Sequence, residues 1–154
     1  MPVKLAPPKV RVGRSETGLG LFATAPLKRG ELVSEYVGER ITNTEADRRR
    51  SKYLFETSER YSIDGATKSN VARYINHSCA PNARAEITER GRVFIYATRR
   101  IEPGEEIVYN YGRNYFETII APLGCRCELC LARRRRKLKT RPRKTLRARA
   151  AKAA

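Results

Sequence analysis

The sequence predicts a mainly β protein with short helices, and three observations support this prediction. Short segments rich in Val, Ile, Tyr and Phe recur along the chain, separated by Gly and Pro at turn positions. Only one segment, about residues 44 to 52, has the charges of an exposed helix, with Thr44 as a cap-like residue. The length of 154 residues suits one domain with a small appendage.

Local signals along the chain predict the individual elements. TGLGLF, at residues 17–22, places glycines on either side of a leucine, which permits a tight turn or a close approach to a ligand. GELVSEYVGERI is typical of a short strand entered from a turn at residues 28–30. Further strands are predicted in RYSIDG, in a hairpin RAEITERGRVFIYATRRI that turns near residues 90–91, and in GEEIVYNYG after residue 104.

Charge divides the chain into a body and a tail. The formal net charge is +17, yet all sixteen acidic residues lie at or before Glu128. Residues 131–154 hold twelve of the 33 Lys and Arg, which leaves a net charge of about +5 for the body. Because the tail has no acids and few large apolar residues, we expect it to be disordered in isolation.

No segment approaches the roughly 18 consecutive apolar residues of a membrane span. The first twelve residues also lack the apolar centre of a secretory signal. We therefore expect a soluble, intracellular protein without a membrane partner. In a reducing compartment cysteines are more often free, catalytic or metal-bound than paired in disulfides.

The cysteines form a candidate metal site. Cys125, Cys127 and Cys130 have the spacing C-x-C-x-x-C, and Cys79 is the only other cysteine. Two cysteines separated by one residue rarely form a disulfide, whereas tetrahedral zinc accepts thiolates from short loops. We predict one structural zinc ion held by all four, and the alternative is three accessible thiols with one buried thiol.

The chain from about residue 10 to residue 130 resembles the SET-domain protein lysine methyltransferases. Five blocks of that family occur in order: TGLGLFA, GELVSEYVGERI followed by EADRR, YSIDGATKSNVARYINHSCAPNA, VFIYATRRIEPGEEIVYNYG, and a cysteine cluster similar to a post-SET segment. The resemblance implies several small sheets, with a knot-like crossing of the Asn-His-Ser-Cys segment and the last strand. It divides the chain into a SET domain at 10–112, a zinc-stabilised post-SET segment at 113–130 and a basic disordered tail at 131–154.

The resemblance implies methyl transfer from S-adenosylmethionine to a lysine ε-amine of a histone or histone-like basic protein. The cofactor would bind on one face, and the lysine would enter a narrow channel from the other. This in-line displacement needs a neutral lysine, although the ordinary pKa of lysine is about 10.4. Aromatic channel walls favour the neutral amine because they exclude water and hold the aliphatic stem.

By resemblance, Tyr111 matches the catalytic tyrosine at the methyl-transfer pore. Tyr109 matches a position where the family carries Tyr or Phe, and Tyr there implies a smaller site that favours monomethylation. Tyr36 and Tyr53 match positions that line the lysine channel, with ordinary core packing as the alternative. We expect the single histidine, His77, to bind the cofactor rather than act as an acid or base. The positions matched to cofactor binding are Thr17, Gly18, Leu19, Gly20, Asn76, His77 and Leu129.

The chain departs from the family pattern in three places. Only two residues separate Cys127 from Cys130, where the family usually has four, so the zinc knuckle must be tighter or the metal differently held. Asn110 replaces a more usual Asp between the two tyrosines. No pre-SET cysteine cluster precedes residue 10, so we expect stability to come from the body and the zinc.

The basic tail predicts a second kind of partner. Twelve cations without an acid bind polyanions by counterion release, so we expect contact with DNA or RNA through residues 131–154. A tail that serves only solubility is the alternative, and methylation of its own lysines is a secondary hypothesis. The competing function is an inactive SET body that serves as a nucleic-acid-binding scaffold. The expected location is chromatin or a nucleoid, or a host nucleus if the protein is a secreted effector.

Overall fold

The computed structural model describes residues 8–140. Within this range ten strands form three small sheets. The first sheet has the order β1 (Val10–Ser15), β2 (Gly18–Ala23), β10 (Glu106–Tyr109), β7 (Asn76–His77). The second has the order β3 (Leu32–Tyr36), β9 (Val93–Ala97), β8 (Ala83–Ile87). The third has the order β4 (Glu39–Thr42), β6 (Tyr61–Asp64), β5 (Leu54–Glu56).

The helices are short except for the last one. They are α1 (Asn43–Arg49), α2 (Arg113–Tyr115), α3 (Ala121–Leu123) and α4 (Glu128–Lys139), with a 3-10 turn at Val71–Tyr74 and a π-helical turn at Phe116–Ile120. No helix among residues 8–140 has the length and apolar character needed to cross a membrane. Small sheets with short helices confirm the predicted mainly β class.

The first sheet carries the crossing of distant segments. β10 pairs antiparallel with β2 and parallel with β7, so that Tyr109 lies opposite His77. The chain after β7 also wraps around β10, because the Ser78 N–H donates to the Tyr109 carbonyl at 3.0 Å. Farther along, the Asn82 side chain accepts from the Val108 N–H at 2.9 Å. The Asn-His-Ser-Cys segment and the last strand therefore lie together, as the resemblance implied.

The hydrophobic core joins buried side chains from all three sheets, including Ile63 of β6. Fully buried aliphatic side chains from β2, β9, β10 and the 3-10 region fill it: Leu21, Ile75, Val93, Ile95 and Ile107. Burying each such side chain contributes about 1.5–3 kcal/mol. This core fixes the relative positions of β7 and β10, which carry the predicted site residues.

Three predicted elements differ from the structure. GELVSEYVGERI forms two strands, β3 and β4, instead of one, because the chain breaks at Gly38. There a Cβ would lie 2.1 Å from the carbonyl oxygen of Asp64. The N-cap of α1 is Thr42, which accepts from the Glu45 N–H at 3.2 Å, and not Thr44. TGLGLF contributes mainly to β2, and its turn is confined to the residues around Gly18, where φ is +118°.

The prediction of disorder from residue 131 is wrong for the part of the tail that the structure describes. Residues 131–139 continue α4, which begins inside the cysteine cluster. Leu, Ala, Arg and Lys have high helix propensity, and the Arg134 guanidinium donates to the Cys125 carbonyl at 2.6 Å. Anchoring at the cluster offsets the cost of starting a helix, which composition alone does not reveal. Residues 141–154 lie outside the described residues.

Candidate active site

A cleft of about 640 Å³ lies beside the first sheet. The turn between β1 and β2, the segment from Asn76 to Ala80, β10 and the first turns of α4 supply its walls. Four of the residues predicted to bind a cofactor line it: Thr17, Asn76, His77 and Leu129. The other three, Gly18, Leu19 and Gly20, belong to the adjoining strand β2 and do not line it. On α4, Glu128, Leu131, Ala132 and Arg135 share one face because they are spaced at helical intervals, and this face borders the cleft.

Asn76 fastens the walls of the cleft to each other. Its amide nitrogen donates to Ser15 Oγ at 3.1 Å, to the Leu19 carbonyl at 2.9 Å and to Glu106 Oε1 at 2.9 Å. These acceptors belong to β1, β2 and β10, so one side chain holds three strands in position. The amide nitrogen is thus engaged within the protein, which leaves the side-chain carbonyl oxygen of Asn76 for a ligand.

His77 lies between the cleft and a group of aromatic side chains. Its Nδ1 accepts a hydrogen bond from the Tyr111 N–H at 3.2 Å, and its Nε2 is 3.5 Å from Cys79 Sγ. The ring contacts Tyr111 edge-on at 5.5 Å between centroids and Phe116 at 5.4 Å. Burial lowers the pKa of His77, which favours the neutral imidazole.

Aromatic rings form a continuous row next to His77. The centroid distances are 5.3 Å from Tyr36 to Phe55, 6.5 Å from Phe55 to Tyr109, 4.9 Å from Tyr109 to Tyr111 and 5.3 Å from Tyr111 to Tyr115. Three of the four predicted catalytic and channel tyrosines therefore come together. A wall of this kind can enclose a long aliphatic side chain and exclude water from its end.

Tyr53, the fourth predicted tyrosine, has a different arrangement. Its backbone carbonyl accepts a hydrogen bond from the Tyr36 hydroxyl at 2.8 Å, while its ring packs beneath the Arg73 guanidinium at 4.2 Å. Tyr53 thus supports the row through its backbone. Phe55, Tyr115 and Phe116 were missed by sequence reasoning, although two of them stand within five residues of Tyr111, a spacing that marks them as candidates.

Three tyrosines of the row keep their protons. Burial raises the pKa of Tyr36, Tyr109 and Tyr111 well above the ordinary value for a phenol. The hydroxyl of Tyr111 donates to the Ile75 carbonyl. With its proton directed to Ile75, the Tyr111 oxygen offers its lone pairs as acceptors toward the row. The site therefore presents oriented acceptors in an apolar wall rather than charged bases.

The structure brings all four cysteines together. Their sulfur atoms lie within 4.8 Å of one another, and Cys79 Sγ is 3.9 Å from Cys125 Sγ and 3.8 Å from Cys130 Sγ. A tetrahedron of thiolates around zinc, with Zn–S of about 2.3 Å, has edges of about 3.8 Å. The donor set and its size thus fit zinc, and the four cysteines could hold one ion.

The short spacing between Cys127 and Cys130 is accommodated by the start of α4. Cys127 is the N-cap and Cys130 falls in the first turn, so nearly one helical turn brings its sulfur back toward the cluster. Burial opposes ionisation of Cys127, but hydrogen bonds from the backbone at Cys79 and Cys130 outweigh it and lower its pKa to about 7. These bonds favour a thiolate at Cys127, whereas burial raises the pKa of the Cys79 and Cys130 thiols, which would have to lose their protons on binding zinc.

Comparison with known proteins identifies the family. The SET domain family model matches residues 18–112. Histone-lysine N-methyltransferase 2D of Homo sapiens is 38% identical over 121 residues, which cover 71% of this chain and 2% of that protein. The H3 lysine-4 specific histone-lysine N-methyltransferase of Schizosaccharomyces pombe is 41% identical over 105 residues, covering 60% of this chain and 11% of that protein.

Solved structures agree with this result. The crystal structure of the Chaetomium thermophilum polycomb repressive complex 2 contains a chain with a TM-score of 0.64 and 36% identity, covering 68% of this chain and 15% of that one. The same complex in an autoinhibited conformation, bound to S-adenosylmethionine, gives a TM-score of 0.65 and 35% identity over 70% of this chain and 15% of that one. The chain belongs to the SET domain family, and it spans only a small part of the length of these relatives.

Proposed function

We propose that the protein is an S-adenosylmethionine-dependent protein-lysine N-methyltransferase that modifies a histone or histone-like basic protein. One observation carries this proposal: the cleft and the aromatic row meet at β10. Val108 lines the cleft, while the neighbouring Tyr109 belongs to the row. A donor in the cleft and an amine enclosed by the row would therefore approach each other from opposite sides. The names of the relatives and the bound S-adenosylmethionine of the neighbouring structure support the same chemistry.

The residues of the cleft suit the proposed cofactor. Thr17, Asn76 and His77 offer polar and backbone groups, and Leu129 offers an apolar contact for the adenine. When bound, S-adenosylmethionine supplies an electrophilic methyl group on a positively charged sulfur. The fixed strands β1, β2 and β10 hold the cleft residues in place before any ligand arrives, because Asn76 bonds to all three.

The row of aromatic side chains would hold the substrate lysine in its neutral form and orient its amine. Tyr36, Phe55 and Tyr109 exclude water from the amine, which favours its neutral form because a buried ammonium loses its hydration. The lone pairs of the Tyr111 hydroxyl accept from the amine N–H and orient the nitrogen lone pair toward the cleft, since the Tyr111 proton is held by Ile75. Tyr109 narrows the same space, and we infer that monomethylation is the main outcome.

The exposed part of α4 suggests nucleic acid as a partner. Arg133 to Lys137 are five consecutive cations on the surface of this helix. A polyanion bound here would release condensed counterions and hold the enzyme near chromatin, where basic substrates are found. We therefore propose a chromatin-associated location, with contact to DNA or RNA through the helix and the residues that follow it.

A labelling experiment tests the enzymatic proposal. Purified protein is incubated with radiolabelled S-adenosylmethionine and core histones, and the expected result is a labelled histone. Tyr111→Phe removes the hydroxyl and is expected to lower the label by about 100-fold or more. Tyr96→Phe is the matched control, because this tyrosine lies on β9 beside Phe94, outside the row. Tight DNA binding without cofactor binding or label would establish the scaffold function instead.

A further inference from the structure

We propose that the His77 side chain is a positioning residue that joins the cysteine cluster to the backbone of Tyr111. This inference rests on the proposed methyltransferase function for its effect on rate, but its structural part stands apart from that function. Two hydrogen-bond distances carry it: 3.2 Å from the Tyr111 nitrogen to Nδ1, and 3.5 Å from Nε2 to Cys79 Sγ.

The backbone N–H of Tyr111 needs a hydrogen-bond acceptor that the sheet does not provide. The ladder between β7 and β10 ends at the pair His77 and Tyr109, so the N–H of Tyr111 lies beyond it. An unpaired backbone donor in a part-buried position is costly. The Nδ1 of His77 accepts from this N–H and so extends the ladder by one hydrogen bond made with a side chain. The position of Tyr111 therefore depends on the orientation of the imidazole.

The same bond determines the tautomer of His77. A nitrogen that accepts from an N–H carries no proton, so in the neutral ring the proton is on Nε2. Nε2 faces the sulfur of Cys79, which becomes a thiolate when it binds zinc. Its N–H then donates to a negatively charged acceptor, which strengthens the bond. A zinc-bound thiolate thus holds the tautomer that Tyr111 needs.

Packing leaves the ring little freedom to turn. Tyr111 contacts the imidazole edge-on, and Phe116 packs against it from the π-helical turn that follows α2. A flip of the ring would place carbon atoms opposite both the Tyr111 N–H and the Cys79 sulfur. Zinc loading and the geometry of the row are therefore coupled through one side chain, with no need for the metal to approach the substrate.

The first test needs no mutation, because His77 is the only histidine of the chain. Untagged protein labelled with ¹⁵N-histidine is loaded with zinc, and long-range ¹H–¹⁵N correlation spectra are recorded at neutral pH. We expect one imidazole spin system with its proton on Nε2 and a bare Nδ1. A proton on Nδ1 would overturn the proposal, whatever the enzymatic activity of the protein.

A pair of variants tests the two bonds separately. His77→Asn places an acceptor oxygen near the position of Nδ1 but has nothing at Nε2, whereas His77→Gln places an amide nitrogen near Nε2. We expect His77→Asn to release zinc to a chromogenic chelator faster than His77→Gln. The order should reverse for single-turnover methyl transfer, with His77→Gln showing the larger loss, about 10- to 100-fold.

This crossed ranking is the result that a purely structural role would not produce. Equal losses in both variants, or the same variant worse in both measurements, would contradict the coupling. Thermal unfolding of both variants shows whether either has lost its fold, and the tautomer measurement then decides the question. A failure of methyl transfer in the wild-type protein would contradict the proposed function and leave the spectroscopic result intact.

Discussion

The guanidinium of Arg126 donates a hydrogen bond to the backbone carbonyl of Glu16 at 3.0 Å, although 110 residues separate them in sequence. Arg126 stands between two cysteines of the cluster, and Glu16 belongs to the turn between β1 and β2. Both residues line the cleft. The bond therefore joins the wall of the cleft formed by the cysteine cluster to the wall formed by the first hairpin.

Arg126→Ala is expected to weaken binding of S-adenosylmethionine by about five- to tenfold, since the loss of one such bond costs about 1 kcal/mol. Isothermal titration calorimetry measures the dissociation constant. Arg126→Lys keeps a hydrogen-bond donor, so its affinity for the cofactor should lie between the affinities of the wild type and of Arg126→Ala. Arg29→Ala, in the turn before β3, serves as a control. Unchanged affinity in Arg126→Ala would show that the contact does not contribute to cofactor binding.

Zinc removal is expected to weaken cofactor binding as well as stability. Cys79 follows β7, whereas Cys127 and Cys130 lie at the start of α4, so the cluster is what ties this helix to the sheet. Chelation, or Cys79→Ser, should lower the melting temperature and raise the dissociation constant for S-adenosylmethionine by at least about tenfold. Restoring excess zinc to the chelated wild-type protein should reverse both changes. An unchanged dissociation constant would show that cofactor binding in the cleft does not depend on the metal.

Tyr109→Phe is expected to change the product rather than abolish the reaction. Removing the hydroxyl leaves space for additional methyl groups while keeping the ring that packs on Tyr111 and Phe55. Mass spectrometry of the reacted substrate should show mainly monomethyl-lysine for the wild type and more di- and trimethyl-lysine for the variant. Mainly trimethyl-lysine from the wild type would contradict the proposed role of Tyr109.

Gly38→Ala is expected to destabilise the protein by about 1–3 kcal/mol, as overpacking does. Its Cβ would lie 2.1 Å from the backbone oxygen of Asp64, which cannot move without disturbing β6. At Gly13 the nearest atom to an added Cβ is the end of the flexible Arg11 side chain, so Gly13→Ala is the matched control. Urea unfolding monitored by circular dichroism gives both values, and equal free energies of unfolding would refute the steric argument.

Nucleic-acid binding by α4 predicts a defined salt dependence. Replacing Arg133, Arg136 and Lys137 by Gln removes three cations from the helix without touching Arg134 or Arg135, which contact Cys125 and the cleft. The slope of log K against log salt for duplex DNA should become shallower by about 2 to 3. Replacing Arg48, Lys52 and Arg90 by Gln removes the same number of cations elsewhere and provides a charge-matched control. A slope that the α4 variant leaves unaltered would argue against this surface.

Short motifs with specific chemistry were predictable from the sequence, whereas packing directions were not. The four cysteines and the Asn-His pair have residue types and spacings that point to one kind of site, and the structure brings them together. Phe55 and Phe116 belong to no recognisable sequence motif. Only the packing of β5 and of the π-helical turn places them next to Tyr109 and His77. The bond from Arg126 to Glu16 joins two loops whose proximity no local pattern encodes.

The tail shows the limit of composition as evidence. A segment with many like charges and few apolar residues is typical of disorder, yet α4 extends to Lys139. The deciding factor is a non-local one, because the cysteine cluster fixes the first turn of the helix and removes most of the cost of nucleation.

The parallel pairing of β7 with β10 also affects how the protein is made. While the polypeptide is being synthesised, Asn76 and His77 remain without their strand partner until Val108 and Tyr109 have been added. Cys79 remains without its last partner in the cluster for longer, because Cys130 follows it by 51 residues. During that interval Cys79 is an unmetallated thiol on an unfinished chain, open to oxidation. A zinc ion can therefore be held by all four thiolates only after Cys130 has been added.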